Sequence, residues 1–306
     1  MSPCRRSFLD SARDIIVRDR KLRAGWRFAL LVALFWACGP VLNPILERLH
    51  FPDRDMTPWS MVFNEGLDFA LIVAISWFVS RLGRERLSQY GLPMRPGASG
   101  LFVRGVIWGI IPSIVILLPI WLAGACSFHG LALHGADLVR NAAIWAVAFL
   151  FVGLAEEFTF RGCALKTLGD AIGFWPAAVA LSGLFGLVHF LFKQNEGWVD
   201  PLSVALYGLF WCFTLRRTGS LWFAVGFHAA SDYTDMVVFA EPNTGAGGHP
   251  VPGHLLNVSF HGSDWITGGP RGTEASLLVF PILACLFYLF HRRFPARTFV
   301  TESEPA

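Results

Sequence analysis

Charged residues are scarce in this chain of 306 residues. Asp, Glu, Lys and Arg make up 15% of it, whereas a soluble domain carries about a quarter. Hydrophobic residues account for 54%, with 28 Phe and 12 Trp among them. A soluble fold of this length would leave large apolar patches exposed. The composition therefore excludes an ordinary soluble protein. It predicts an integral membrane protein that contacts the lipid bilayer and no nucleic acid.

Several patterns that would indicate other classes of protein are missing. The six cysteines are scattered and include no CxxC pair, so neither a disulfide framework nor a cysteine zinc site is predicted. No HExxH helix and no GxSxG elbow occurs, which removes two common hydrolase signatures. The first residues are basic but lack a short apolar region followed by a small-residue cleavage site. We therefore expect no cleaved signal peptide.

Long apolar runs indicate about eight transmembrane helices, since a spanning helix needs about 20 mostly apolar residues. The predicted fold is all-α: a polytopic transmembrane bundle over residues 26–293, between a basic tail at 1–25 and a short tail at 294–306. The predicted spans are Trp26–Leu46, Trp59–Ser80, Leu101–Ala123, Val139–Phe160, Phe174–Phe192, Pro201–Leu215, Ser220–Ala240 and Ala275–His291.

Lys and Arg alternate between rich and poor loops, as the positive-inside rule requires for eight spans. The rich segments are the N-terminal tail and the loops that follow the second, fourth, sixth and eighth spans. We therefore expect both termini in the cytoplasm, in an inner or plasma membrane. The long segment Glu241–Glu274 would then lie outside. Its histidines His249, His254 and His261 are irregularly spaced, which favours a mobile loop over a metal site.

Two adjacent glutamates and an arginine interrupt the fourth span, in the stretch GLAEEFTFRG. Glu157 and Arg161 are four residues apart, so on a helix they share a face and can form an ion pair. Glu156 points about 100° away and lacks that partner. A carboxylate shielded from water suits a general base near neutral pH. An ion-pair cluster that only caps the helix explains the same spacing, and both readings stay open at this point.

Two further stretches place ionisable residues in apolar spans, where such residues usually mark function. The stretch FGLVHF sets His189 one helical turn after Phe185, and FHAASDY sets His228 four residues before Asp232. Each alone fits helix packing. Together with Glu156 they supply a base, two imidazoles and a carboxyl group, which can activate water and polarise a carbonyl. Glu156, His189 and His228 could also bind zinc and leave one position for water.

The series EExxxR, FxxxH and HxxxN or HxxxD on successive spans resembles the CPBP family of intramembrane endopeptidases. That family includes type II CAAX prenyl endopeptidases and proteins assigned to bacteriocin immunity. Here the motifs read EEFTFR, FGLVH and HAASD, and SRLGRERLSQYGL resembles the segment such proteins carry before the third span. The resemblance covers roughly Leu67 to Val237, with a catalytic core at about 139–240.

The resemblance implies that Glu156 activates water with help from His189, and that His228 and the residue four later stabilise the oxyanion. Glu157 and Arg161 would support them. Many members have Asn where this chain has Asp232. An ionised Asp cannot donate to an oxyanion, so Asp232 would either be protonated or orient His228. A metal-free glutamate mechanism and a zinc mechanism both stay open, and the substrate would be a membrane protein or peptide.

Two other functions fit the same residues. The three side chains could form the relay of a proton-coupled transporter, or the fold could serve as a non-catalytic scaffold or immunity protein. The enzyme hypothesis also requires that Glu156 and His189 lie close together. Glu156 and His189 meet only if the fourth helix continues past Arg161 toward Leu168, with Gly169 as its stop. Glu65 and Asp68 near the end of the second span are expected at the membrane interface, and Ser182 is expected to serve helix packing.

Overall fold

The computed structural model describes residues 17–18, 21–193, 197–295 and 299. Most of the tail predicted at 1–25 and of the tail predicted at 294–306 lies outside the described residues.

Helices dominate the described residues, and one covers each predicted span. Their bounds are α1 Ala24–Arg48, α2 Pro58–Gly83, α3 Ala98–Leu122, α4 Gly135–Glu157, α5 Leu165–Ile172, α6 Phe174–Phe192, α7 Val199–Thr218, α8 Trp222–Asp232, α9 Asp264–Thr267 and α10 Val279–Arg293. Two π-helical turns, Phe158–Ala164 and Tyr233–Val238, extend α4 and α8. The predicted all-α membrane bundle is confirmed.

Five helical segments in the described ranges are long and apolar enough to cross a membrane. They are α1, α2, α3, α6 and the continuous helix Gly135–Ile172. Helix α7 is long enough but carries Asp200, Arg216 and Arg217. Helices α8 and α10 are short, with 11 and 15 residues. The protein is thus an integral membrane protein, while the number of eight crossings stays a prediction.

The segment Glu241–Glu274 contains a β-strand and short helical turns, which the expected loop did not include. Besides the short pair β1 Val17–Arg18 and β2 Lys21–Leu22, the chain forms β3 Cys126–Leu131 and β4 Leu256–Phe260. Strand β4 pairs antiparallel with β3, with Cys126 opposite Phe260. The pairing partner lies more than a hundred residues earlier, which explains why local composition did not reveal it.

Helices α3 and α8 approach each other backbone to backbone. A Cβ added at Gly109 would lie 2.3 Å from the carbonyl oxygen of Phe227, and one at Gly226 would lie 2.3 Å from that of Phe102. Small residues permit such close packing between membrane helices. Because Phe227 precedes His228 directly, this contact fixes the position of the histidine.

A buried ionic network ties α1, the α2–α3 loop and α5 together at the end of the bundle where α1 begins. Arg27 lies 2.6 Å from Glu85 and 3.6 Å from Asp170, and Lys166 pairs with Asp170. The hydroxyl of Tyr90 donates to Glu85 at 2.7 Å. Burial alone would raise the pKa of Glu85, but the hydrogen bonds from Tyr90 and Arg27 and the charge of Lys166 hold it below its ordinary value.

We predict that Gly109→Ala destabilises the protein, because the new methyl group meets backbone that cannot move aside. Overpacking of this kind costs about 1–3 kcal/mol. Gly100→Ala on the same helix is the matched control, since a Cβ there meets nothing within 4 Å. Thermal unfolding in detergent measures both. Equal melting temperatures for the two variants would contradict the close approach of α3 and α8.

We predict that the stabilising effect of Glu85 depends on pH. Since its folded pKa is lowered, the carboxylate stabilises the fold above the unfolded pKa of about 4.3. This contribution is lost as the pH falls through the folded pKa. Removing one partner of a buried ion pair costs about 3–5 kcal/mol, so Glu85→Gln lowers the melting temperature strongly at neutral pH.

At acid pH the difference between Glu85→Gln and wild type should shrink. Glu47→Gln on the exposed face of α1 serves as the control and should change little at either pH. A difference for Glu85→Gln that is independent of pH would show that its charge does not stabilise the fold.

Candidate active site

The two glutamates lie where the fourth helix changes its winding. Glu156 and Glu157 end α4, and Arg161 lies in the π-helical turn that follows. The backbone leaves helical geometry at Gly162 (φ −82, ψ −110), yet the helix continues to Ile172. Such π turns occur frequently at functional sites. The helix therefore passes Arg161 as the enzyme reading requires.

The stop of this helix differs from the expectation. Gly169 lies within α5, and the helix ends before Gly173, whose φ of 96° suits glycine. The extra turn holds Asp170, which joins the ionic network with Arg27 and Lys166. The prediction that the helix stops at Gly169 was thus wrong, since the helix continues for about one more turn.

Glu157 is fully buried and binds two cationic or polar partners through one oxygen. Its Oε1 accepts a hydrogen bond from Nη1 of Arg161 at 3.1 Å and lies 2.9 Å from Nδ1 of His228. Oε1 is therefore shared by two partners, whereas Oε2 is buried and has no hydrogen-bond partner among the described residues. Glu157 does not line the cavity described below, so its role there is to hold Arg161 and His228 in position.

Arg161 is enclosed by aromatic rings. Its guanidinium lies 4.3 Å from the ring centre of Phe185 and 5.2 Å from that of Trp211. A buried cation gains from such contacts. Gly208 makes room for it, because a Cβ at that position would lie 2.3 Å from Nη2 of Arg161. Sequence reasoning missed Trp211 and Gly208, which no motif spacing marks.

Glu156 has surroundings unlike those of its neighbour. Its side chain is 30% exposed and its Oε2 lies 3.7 Å from Nε2 of His228, beyond hydrogen-bond distance. That oxygen has no hydrogen-bond partner among the described residues. The expected difference between the two glutamates, one paired and one unpaired, is thus present in the geometry.

His228 is held on three sides. Nδ1 faces Glu157, Nε2 lies 3.4 Å from Oδ2 of Asp232, and the ring stacks on Trp211 with 4.3 Å between centroids. The planes of the two rings differ by 13°. The ring therefore cannot turn without losing its contacts to Glu157 and Trp211, which fixes Nε2 beside Glu156 and Asp232.

His189 uses one ring nitrogen for its own helix. Its Nδ1 lies 2.9 Å from the carbonyl oxygen of Phe185. A carbonyl only accepts, so Nδ1 carries a proton and Nε2 of the neutral ring is an acceptor. The ring also packs edge-on against Phe185, at 4.4 Å between centroids. Phe185 thus contacts both His189 and Arg161, which gives the FxxxH spacing a physical reason.

The four residues predicted as catalytic line one cavity of about 210 Å³. They come from three helices: Glu156 from α4, His189 from α6, and His228 and Asp232 from α8. Glu157 and Arg161 are buried behind them and do not line the cavity. The bundle therefore brings together the residues that the sequence predicted, while their catalytic roles stay predictions.

The zinc alternative stays a prediction. Within the described part of the chain, no group of three His, Cys, Asp or Glu side chains is arranged to hold a metal ion. The histidines His249, His254 and His261 of the outer segment belong to no such group either. No step below is therefore routed through a metal.

The two acidic residues expected at the interface behave differently. Asp68 forms a bidentate ion pair with Arg54, at 2.7 and 2.8 Å, with both side chains partly exposed. Glu65 instead lies within electrostatic range of Glu156 and His228. It therefore influences these two site residues electrostatically without lining the cavity. No local pattern could have indicated this, because Glu65 is on α2, distant in sequence from the three motifs.

The geometry can be compared with known proteins. Residues 138–234 match the family model described as type II CAAX prenyl endopeptidase Rce1-like. This part of the chain is therefore similar to that family. The match begins in α4 and ends just after Asp232, so the Rce1-like segment contains all six predicted site residues. The family indicated by the three motifs is confirmed over this segment.

The chain is also similar to a bacterial protein, the uncharacterized protein YyaK of Bacillus subtilis (strain 168). The two are 33% identical over 116 residues, which is 35% of this chain and 38% of that protein. The similar part thus spans well under half of the relative. No solved structure matches the chain.

Proposed function

We propose that this protein is an intramembrane endopeptidase that hydrolyses a peptide bond of a membrane-associated protein or peptide. The observation that carries the proposal is the different engagement of two neighbouring glutamates. Glu157 is bound by Arg161 and His228, whereas Glu156 faces the cavity beside two imidazoles. Of the two, only Glu156 lines the cavity, where its carboxylate can take a proton from a water molecule.

In this mechanism Glu156 is the general base. A water molecule in the cavity gives a proton to Glu156, and its oxygen forms a bond to the carbonyl carbon of the substrate. Nε2 of His189 is an acceptor that can hold the second hydrogen of the water. The C–N bond then breaks, and the proton on Glu156 passes to the leaving nitrogen. The products are a carboxylic acid and an amine.

His228 is the proposed electrophilic partner. With Nδ1 held by Glu157, its Nε2 lies on the side of Glu156 and Asp232. Because Nδ1 donates to Glu157, Nε2 carries a proton only in the imidazolium form, and that proton can be donated to the oxyanion that forms on the carbonyl oxygen. Asp232 lies 3.4 Å from this nitrogen, so we propose that it orients His228 and does not itself donate. Arg161 and Glu157 are positioning residues in this scheme.

The first test compares wild type with Glu156→Gln in liposomes that contain candidate membrane peptides. The amide keeps the shape of the side chain but cannot accept the proton. Loss of a general base lowers the rate by about 10²- to 10⁴-fold. Because the side chain is partly exposed and makes no hydrogen bond through Oε2, the melting temperature should stay near that of wild type.

Glu47→Gln is the matched control for the removal of one carboxylate outside the cavity, and its peptidase rate should equal that of wild type. The mechanism would be wrong if Glu156→Gln cleaved peptides at the wild-type rate. It would also be wrong if this variant lost its fold, because the side chain would then be structural.

A further inference from the structure

The cavity lies toward one end of the bundle. Its walls come from the start of α2 and α10, from the first two thirds of α7, and from the second halves of α3, α4, α6 and α8. Four lining residues belong to the segment between the π turn that ends at Val238 and α10: Asn243, Gly245, Thr273 and Glu274. This is also the end at which β3 and β4 pair. We call it the β3–β4 end.

The opposite end of the bundle is filled. Large side chains such as Phe158, Leu165 and Leu215 form a buried cluster there. Beyond them lies the ionic network of Arg27, Glu85, Lys166 and Asp170. None of the residues that line the cavity comes from the α2–α3, α5–α6 or α7–α8 connections at this end. A path from the cavity to this end would have to cross the core.

The two ends also differ in charge. The filled end carries the basic residues Lys21, Arg23, Arg81, Arg84, Arg86, Arg95, Arg216, Arg217, Arg292 and Arg293. The β3–β4 end carries Arg48, Arg54, Arg140, Lys193 and Arg271. Of these, Arg54 pairs with Asp68, and Lys193 pairs with Glu274. The excess of basic residues orients the filled end toward the cytoplasm. The β3–β4 end then faces the opposite side of the membrane.

From these observations we infer that the cavity receives its substrate from the non-cytoplasmic side, as a short extended polypeptide segment presented at that face. The inference rests on the proposed endopeptidase function. The cavity, at about 210 Å³, is below the range of about 300–1,000 Å³ typical of ligand pockets. It therefore accepts a side chain with its flanking backbone and excludes a folded domain.

The segment between α8 and α10 takes part in this access. Glu241 anchors it, because its carboxylate accepts a hydrogen bond from the backbone N–H of Thr273 at 2.8 Å. Lys193 at the end of α6 reaches Glu274 at 3.2 Å. Both contacts hold residues 273–274 in the cavity wall. A substrate segment that enters from the β3–β4 end would pass between these two residues on one side and two methionines on the other. The methionines are Met56, in the α1–α2 connection, and Met61, on α2.

Cysteine accessibility tests the side of access without any need for activity. Ser231 lines the cavity next to Asp232 and is close in size to cysteine. A small, membrane-impermeant methanethiosulfonate reagent is added either to intact spheroplasts or to sealed inverted vesicles. We expect Ser231→Cys to be labelled in spheroplasts, with complete loss of labelling in inverted vesicles. Met236→Cys, also in the cavity wall, should behave in the same way if Ser231→Cys folds poorly.

Three controls define the result. Ser88→Cys is exposed at the filled end and should be labelled in inverted vesicles alone. Ser182→Cys is buried against Cys212 and should be labelled in neither. Wild type gives the background of the native cysteines. Labelling of Ser231→Cys and Met236→Cys in inverted vesicles, or in neither preparation, would overturn the inference.

The outcome is separable from that of the proposed function. Ser231→Cys combined with Glu156→Gln should show the same side of labelling, since the base plays no part in access. An inactive wild type with outward labelling would contradict the endopeptidase and leave the access path standing. An active wild type with labelling from the cytoplasmic side would contradict the access path and leave the endopeptidase standing.

Discussion

The carboxylate of Glu157 accepts hydrogen bonds from side chains of two different helical elements, Arg161 in the π turn and His228 on α8. Arg161 in turn lies against Phe185 of α6 and Trp211 of α7. Four helices thus meet around one buried anion. Removing its charge would leave a buried guanidinium without compensation, which is more costly than the loss of one hydrogen bond.

The position of Glu156 follows from this constraint. Once Glu157 is turned into the bundle, its neighbour must point to a different side of the helix, and that side is the cavity. The stack of His228 on Trp211 and the bond from His189 to its own helix then set the two imidazoles around the cavity. A neutral polar residue in place of Glu157 would leave the buried guanidinium of Arg161 without its counter-charge.

The sequence predicted the contacts that lie within one helix. The pairs Glu157–Arg161 and His228–Asp232 follow from helical periodicity, because residues four apart share a face. Contacts between helices were harder to predict from the sequence. That the cavity gathers Glu156, His189 and His228 was expected from the family motifs, but Trp211 and Gly208 were missed because the rotation and depth of α7 are set by packing. The β3–β4 pairing was missed for the same reason, since it joins segments far apart in sequence.

A double-mutant cycle between Glu157 and Arg161 tests the central constraint most directly. Unfolding free energies in detergent are measured for wild type, Glu157→Gln, Arg161→Gln and the double variant. If the two side chains compensate each other inside the bundle, the double variant loses less unfolding free energy than the two single variants lose together. The difference should be about 1–3 kcal/mol. Additivity within about 0.5 kcal/mol would contradict the account and show that Glu157 does not hold Arg161 in place.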